Sequence, residues 1–284
     1  MISIKKATIL VTNICNINCS HCFWGNTSKK YVINRKLLHN ILNVCKENQI
    51  QHICFSGGEP FLFLKNILLE LNCFSNSFSK ISICTNGFWG KEAKNICELL
   101  KKSGISTIEI SYDIYHAQFI SFDTIRNIII EAPKFDLDIQ FIVSIANKIQ
   151  QIKIYELLNQ YVDSKKIEFQ YVGPYGRGKE ITTNLQYHKN IRCNQFQTHL
   201  CIDFNGMLYY CCGPYIVLGR HSSFCIGKFN QKNINKIKND FELFHYMNSK
   251  YGECLYLCEE CKKRLDRYLF KRMYECNNIK EVKL

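Results

Sequence analysis

Three cysteines stand at spacings of four and three in Cys15-Asn-Ile-Asn-Cys19-Ser-His-Cys22, directly after an apolar run from Lys6 to Thr12. Thiolates are soft ligands that favour zinc, copper(I) or iron–sulfur clusters, and three of them in a compact loop can hold three corners of one cluster. A cubane held by three protein thiolates leaves one iron open to a further ligand, whereas a structural zinc site is normally closed by four. A zinc knuckle made by Cys19, Cys22 and a distant pair is the alternative for the same residues.

The C-x3-C-x2-C spacing resembles the radical SAM superfamily, in which S-adenosylmethionine chelates the open iron through its amine and carboxylate. The resemblance implies a [4Fe–4S] cluster held by Cys15, Cys19 and Cys22, and reductive cleavage of SAM to methionine and a 5'-deoxyadenosyl radical. In such enzymes the cofactor brings the chemistry, and the protein contributes position and exclusion of solvent. His21 fills the slot before the last cysteine, where the family usually carries an aromatic ring beside the adenine.

The elements that must position this loop are legible as alternation. Strand-like runs at Ala7 to Thr12, His52 to Phe55, Ile81 to Cys84, Thr107 to Ser111, Asp138 to Ile145 and Ile167 to Val172 alternate with helical ones. The helices are predicted near Leu37 to Cys45, Leu62 to Leu71, Lys91 to Lys102, Phe122 to Ile130 and Ile152 to Tyr161. Such alternation predicts an α/β fold of parallel strands with right-handed crossovers, a partial (β/α)6 TIM-like barrel. The expected boundaries are 1–180 for the barrel, 181–265 for a cysteine-rich auxiliary unit and 266–284 for a basic helical tail.

Polar and glycine residues gather at the carboxyl ends of the predicted strands, where barrel enzymes carry their active sites. Gly57-Gly58-Glu59 follows strand two; the two glycines let backbone approach a ligand, and the carboxylate can receive an ammonium. The tripeptide resembles the family's GGE motif, which holds the SAM amine. Thr85 and Asn86 after strand three, Ser111 and Asp113 at the end of strand four, and Ser144 in strand five offer hydrogen bonds to ribose or to the methionine part. Residues of all four types also serve as turn and strand-end caps. Gly176-Arg177-Gly178 resembles the Gly-Arg-Ala turn of peptide-modifying relatives, which implies an arginine fork on the SAM carboxylate. His116 lies at the same rim, available to substrate or to the structure.

The 284 residues are 46% hydrophobic, enough for one large domain or a domain with an appendage. No apolar run approaches the ~18 residues of a membrane span, and Met1 to Val11 lacks a signal-peptide pattern, so a cytoplasmic protein is expected. Seventeen cysteines in such a chain argue for metal binding over a disulfide framework. Cys45, Cys54, Cys73, Cys84 and Cys97 read as small buried hydrophobes. The charge of +13 suits an acidic electron donor of the flavodoxin or ferredoxin type, an acidic peptide or nucleic acid. Basic residues in Lys262 to Arg272 form a solvated helix face, and without aromatic-interleaved stripes nucleic acid is the weaker choice.

Past Lys179 the alternation stops and cysteines crowd: Cys193, Cys201, Cys211, Cys212, Cys225, Cys254, Cys258 and Cys261. Cys258 and Cys261 form a C-x2-C pair, and Asn205-Gly206 reads as a hairpin turn leading a short strand, Met207 to Tyr210, into Cys211. This resembles the auxiliary-cluster domains of radical SAM peptide maturases and implies a second [4Fe–4S] cluster on Cys193, Cys211, Cys258 and Cys261. Cys201 or Cys254 are alternatives to Cys193, and zinc is the alternative metal. Neighbouring residues of an extended segment point to opposite faces, so Cys212 turns away from whatever Cys211 holds.

The whole set resembles the epipeptide-type radical SAM peptidyl epimerases. That resemblance implies Cα hydrogen abstraction from an L-residue of a ribosomal precursor peptide and hydrogen return from the Cys212 thiol. Asn205 stands where an Asp is usual in the hairpin, and Tyr210 where a proline commonly precedes the cysteine pair. Thioether or carbon–carbon cross-linking is a second enzymatic reading, and a non-catalytic metal or peptide-binding protein a third.

Overall fold

The computed structural model describes residues 4–25, 28–74, 76–173, 175–182, 199–213, 216 and 224–239. Cys193, Cys254, Cys258, Cys261 and the 266–284 tail lie outside them. Six βα pairs run in the expected order: β1 (Lys6–Thr12), α1 (Arg35–Glu47), β2 (His52–Gly57), α2 (Leu64–Leu71), β3 (Lys80–Thr85), α3 (Ala93–Lys102), β4 (Thr107–Ser111), α4 (Phe122–Glu131), β5 (Asp138–Ile145), α5 (Lys148–Leu158), β6 (Ile167–Tyr171) and a short α6 (Lys179–Thr182). Then come β7 (His199–Ile202), β8 (Met207–Tyr209), β9 (Cys225–Lys228) and a last helical stretch, 231–239. Helix α5 starts four residues before its expected place because Asn147 caps it, its side chain accepting from the Gln150 N–H at 3.0 Å.

All neighbours from β1 to β6 pair in parallel, which is the expected α/β architecture. The sheet does not end at β1: the order is β6-β5-β4-β3-β2-β1-β7-β8-β9. Strand β7 pairs β1 in parallel, with Lys6 opposite His199 and Thr8 opposite Cys201, and β8 and β9 follow antiparallel. The outer edge of β1 carries N–H and C=O groups that need partners, and residues beyond 181 supply them.

Alternation gives the sheet two unlike faces. Ile9, Val11, Ile53, Phe55, Ile83, Ile108, Ile110, Phe141 and Val143 are buried on one face, in a core shared with Leu38 and Ile41 of α1, Leu100 of α3 and Ile125 of α4. The other face carries Lys6, Thr8, His52, Cys54, Ser82, Cys84, Glu109, Ser111, Ser144, Gln170, His199 and Cys201 in matching registers. Cross-strand bonds tie it together: His52 Nε2 to Ser82 Oγ at 2.8 Å, Lys6 Nζ to Glu109 Oε1 at 3.3 Å, Gln170 Nε2 to Ser144 Oγ at 3.1 Å. Cys45 and Cys97 sit in the apolar core as expected, and Cys73 is exposed. Cys54 is buried as expected and Cys84 is half-buried, but the strand period turns both to the polar face.

The β7–β8 hairpin closes through Asp203. Its Oδ1 accepts from the N–H groups of Asn205 (2.8 Å) and Met207 (2.9 Å), and its Oδ2 from the Tyr209 hydroxyl (2.9 Å). The carboxylate expected within the turn at position 205 is thus supplied two residues earlier, and Gly206 takes the left-handed φ of 71°. Removing Asp203 orphans two backbone donors and a buried phenol. Asp203→Ala is expected to cost about 2–3 kcal/mol in urea unfolding, and Asn205→Asp less than about 0.5 kcal/mol.

Candidate active site

The cysteine loop leaves β1 at Thr12 and is anchored at once to the turn after β2. Gly58 N–H donates to Thr12 O at 2.7 Å, and Glu59 N–H to Ile14 O at 2.8 Å. A Cβ on Gly58 would lie 2.1 Å from Ile14 O, and one on Gly57 2.2 Å from Thr12 O, so only glycine allows this approach. The Thr12 hydroxyl donates to Tyr31 O and accepts from Ile14 N–H, and Trp24 Nε1 donates to Gly57 O at 3.3 Å. Inside the loop Cys22 N–H donates to Cys19 O. Cys15 is exposed, Cys22 half-buried and Cys19 buried.

Glu59 is buried and accepts three hydrogen bonds from the protein. Oε1 accepts from Phe61 N–H (3.1 Å) and the Thr85 hydroxyl (3.0 Å), Oε2 from Asn86 N–H (2.7 Å). Burial pushes its carboxyl up to about 7, against the pull of these donors. Thr85 Oγ1 also accepts from Gly87 N–H and Trp89 Nε1. Asn86 reaches the loop itself, its Nδ2 lying 2.8 Å from Asn16 Oδ1 and 3.8 Å from Cys15 Sγ. The three strand-end motifs at Cys15, Gly57 and Asn86 are therefore one connected structure.

Arg177 arrives from the far end of the six-strand run. Its Nε donates to Cys19 O at 2.8 Å and its Nη1 to Gly25 O at 2.7 Å, while its backbone N–H donates to Cys22 O. Gly176 packs so tightly on the loop that a Cβ would lie 2.4 Å from the carbonyls of Cys22 and Phe23. The guanidinium expected to face a carboxylate is here the brace of the cysteine loop's backbone.

Asp113 organises the opposite wall. Buried at the end of β4, its Oδ1 accepts from the N–H groups of Tyr115 and His116, and its Oδ2 from Ser144 N–H. His116 Nδ1 lies 2.9 Å from Asp113 Oδ1, an ion-pair contact off the line of a hydrogen bond. Burial works to lower His116, but Asp113 and a hydrogen bond with the Cys19 thiol override it and push it up to about 10. His21 sits between Tyr115 and His116, ring centroids 4.7 and 5.0 Å away, with its Nε2 3.9 Å from Asp113 Oδ2. Burial pulls His21 down to about 4, and its Nδ1 is buried without a hydrogen-bond partner among the described residues. Ser111 lies half-buried on the polar face, and the Ser144 hydroxyl accepts from Gln170.

Cys212 reaches the polar face on the β1–β7 side, where its thiol hydrogen-bonds with Cys201 and Thr8, which are register partners on neighbouring strands. The bond with Cys201 holds the Cys212 thiol below its ordinary value, and burial holds Cys201 above it. Cys211 is half-buried. Two groups were missed from sequence: Asp203, whose Asp-x-Asn-Gly spacing was a usable signal, and the Cys54, Cys84 and Glu109 trio, visible only by counting strand period.

Residues 9–136 match the radical SAM superfamily. The chain is 27% identical over 227 residues to YydG of Bacillus subtilis (strain 168), named as a peptide biosynthesis protein, covering 75% of this chain and 70% of that one. It is 24% identical over 253 residues to a protein of Saccharolobus islandicus named as a probable GTP 3',8-cyclase, covering 79% and 78%. Among solved structures, anSMEcpe with bound AdoMet and a Cp18Cys peptide superposes with a TM-score of 0.59 at 16% identity, over 96% of this chain and 99% of that one, a likeness of fold.

If Arg177 acts as a brace, both prongs are needed. Arg177→Lys keeps the charge but cannot span two carbonyls, and is expected to lower iron retained after anaerobic reconstitution about tenfold or more, as Arg177→Ala does. Iron analysis beside unchanged circular dichroism checks it; full retention in the Lys variant would reduce Arg177 to a charge.

Proposed function

We propose that this chain, which carries a radical SAM domain over residues 9–136, inverts L-residues of a ribosomally made peptide to the D form. Cys15, Cys19 and Cys22 would hold a [4Fe–4S] cluster, and Gly57-Gly58-Glu59 with Asn86 would seat SAM beside it. The donor set fits these groups: three thiols on one braced loop, and a glycine turn in which no Cβ has room. Together the cofactors supply a 5'-deoxyadenosyl radical, the hydrogen-abstracting agent of the family.

The observation that carries the finer reading is the Cys212 thiol, half-buried on the polar inner face against Thr8 and Cys201. In this role its S–H bond breaks as a C–H bond forms on the opposite face of the planar Cα radical. The thiyl left behind takes one electron and one proton; a second [4Fe–4S] cluster, which Cys193, Cys211, Cys258 and Cys261 would hold, would supply that electron once charged by a flavodoxin- or ferredoxin-like donor. The polar inner face, with Ser111, Ser144 and Gln170, offers hydrogen bonds to a peptide backbone. Similarity to a protein named for peptide biosynthesis supports the substrate class, and the chemistry would need a setting that keeps thiols reduced, as the cytoplasm does. Among the described residues no helix is long and apolar enough to cross a membrane.

A second reading, radical chemistry on a nucleotide, is favoured by the similarity to the probable cyclase and by the charge of +13. Isotope labelling separates the readings. In heavy water the Cys212 thiol exchanges, so each inverted residue should gain a single deuterium at Cα, whereas cross-linking removes two hydrogens and a nucleotide substrate leaves the peptide unchanged. Cys212→Ala is expected to lower D-residue formation at least about 100-fold while SAM cleavage continues; D-residues formed at the wild-type rate would sink the assignment.

A further inference from the structure

The inner face holds a second group of ligands, separate from the cysteine loop and independent of the peptide reading. Cys54 Sγ and Cys84 Sγ lie 3.7 Å apart, and Glu109 Oε2 is 3.6 Å from the first and 3.3 Å from the second. They sit within β2, β3 and β4, Cys84 directly opposite Glu109. A tetrahedral zinc with Zn–S of about 2.3 Å and Zn–O of about 2.0 Å separates two thiolates by about 3.8 Å and a thiolate from a carboxylate oxygen by about 3.5 Å. The three measured edges match those of one face of such a tetrahedron. We infer that Cys54, Cys84 and Glu109 form a zinc site that ties three adjacent strands across the inner face.

Charge balance favours the same ion. Lys6 Nζ lies 3.3 Å from Glu109 Oε1, leaving Oε2 to the thiols. With the thiols protonated, Lys6 and Glu109 cancel. Binding is Zn²⁺ + 2 RSH → Zn(SR)₂ + 2 H⁺; the two thiolates then cancel the zinc, and the site with Lys6 stays neutral. A neutral assembly is what a poorly solvated interior tolerates. Access is available from the inner face, since Cys84 is half-buried and the Glu109 side chain keeps 12% of its exposure. His52 Nε2 is engaged by Ser82 Oγ at 2.8 Å, and the proposal takes only the three ligands Cys54, Cys84 and Glu109. Soft sulfur ligands select zinc over magnesium or calcium.

The test uses the full chain, grown with zinc, purified without air and loaded with iron. Wild type should retain about one zinc per chain, its absorption edge showing two sulfurs near 2.3 Å and an oxygen near 2.0 Å. Cys84→Ala should lose that zinc and keep its iron, and Glu109→Gln should weaken zinc affinity about tenfold or more. Anomalous scattering at the zinc edge from wild-type crystals places the ion without any variant, which covers a Cys84→Ala that does not fold. A chain without zinc, zinc that persists in Cys84→Ala, or an anomalous peak away from Cys54 and Cys84 would overturn the assignment.

Discussion

Everything at the active end depends on two backbone hydrogen bonds, Gly58 N–H to Thr12 O and Glu59 N–H to Ile14 O. They fasten the first residues of the cysteine loop to the turn after β2 at a separation no side chain could enter. The rest of the loop has no strand ladder, so its backbone finds its partners case by case. Glu59 extends the weld to β3 by accepting from Thr85 and Asn86, and Asn86 returns to Asn16 inside the loop. Arg177 closes the circuit from beyond β6. Thiols held this way are positioned before any metal arrives, which lowers the ordering that metal binding must impose.

That circuit explains why the fold was legible and some roles were not. Alternating apolar periods, with Asn, Ser and Gly at the strand ends, are local signals, and they foretold all six parallel strands and the loops that carry the Cys15, Gly57 and Asn86 motifs. Arg177 is different. Its partner Cys19 lies 158 residues away, and a Gly-Arg-Gly turn looks the same whether its guanidinium meets a ligand or a carbonyl. Glu59 is legible only in part: the motif announces a carboxylate, and only the three-dimensional neighbours reveal that it also accepts from three protein donors.

Cys54 and Cys84 were misread for a more specific reason. Counted as small buried hydrophobes, they gave no sign of which face of β2 and β3 they occupy. Counted as potential ligands, they fall on the same alternate positions as Lys6, Thr8, His52 and Glu109, and the sheet becomes two-faced. The residue that can serve as either a buried hydrophobe or a metal ligand is the one whose periodicity most needs checking against its neighbours in register.

The extension of the sheet by β7 has a consequence for chemistry. A barrel of this kind is expected to place its reactive loops at the strand ends, and a hydrogen donor for the opposite face of a substrate must come from elsewhere. Strand β7 satisfies the bare edge of β1, and in doing so it brings Cys201 beside Thr8 and lays down the wall against which Cys212 rests. Asp203, at the end of β7, then turns the chain back through β8 towards the Cys211-Cys212 pair. On the epimerase reading, the donor is therefore positioned by strand pairing that begins with the same β1 whose other end presents the cysteine loop. A shift of β1 by one residue would turn Thr8 and Lys6 to the apolar face and displace both ends together, so on that reading a single strand would set abstraction and return in register.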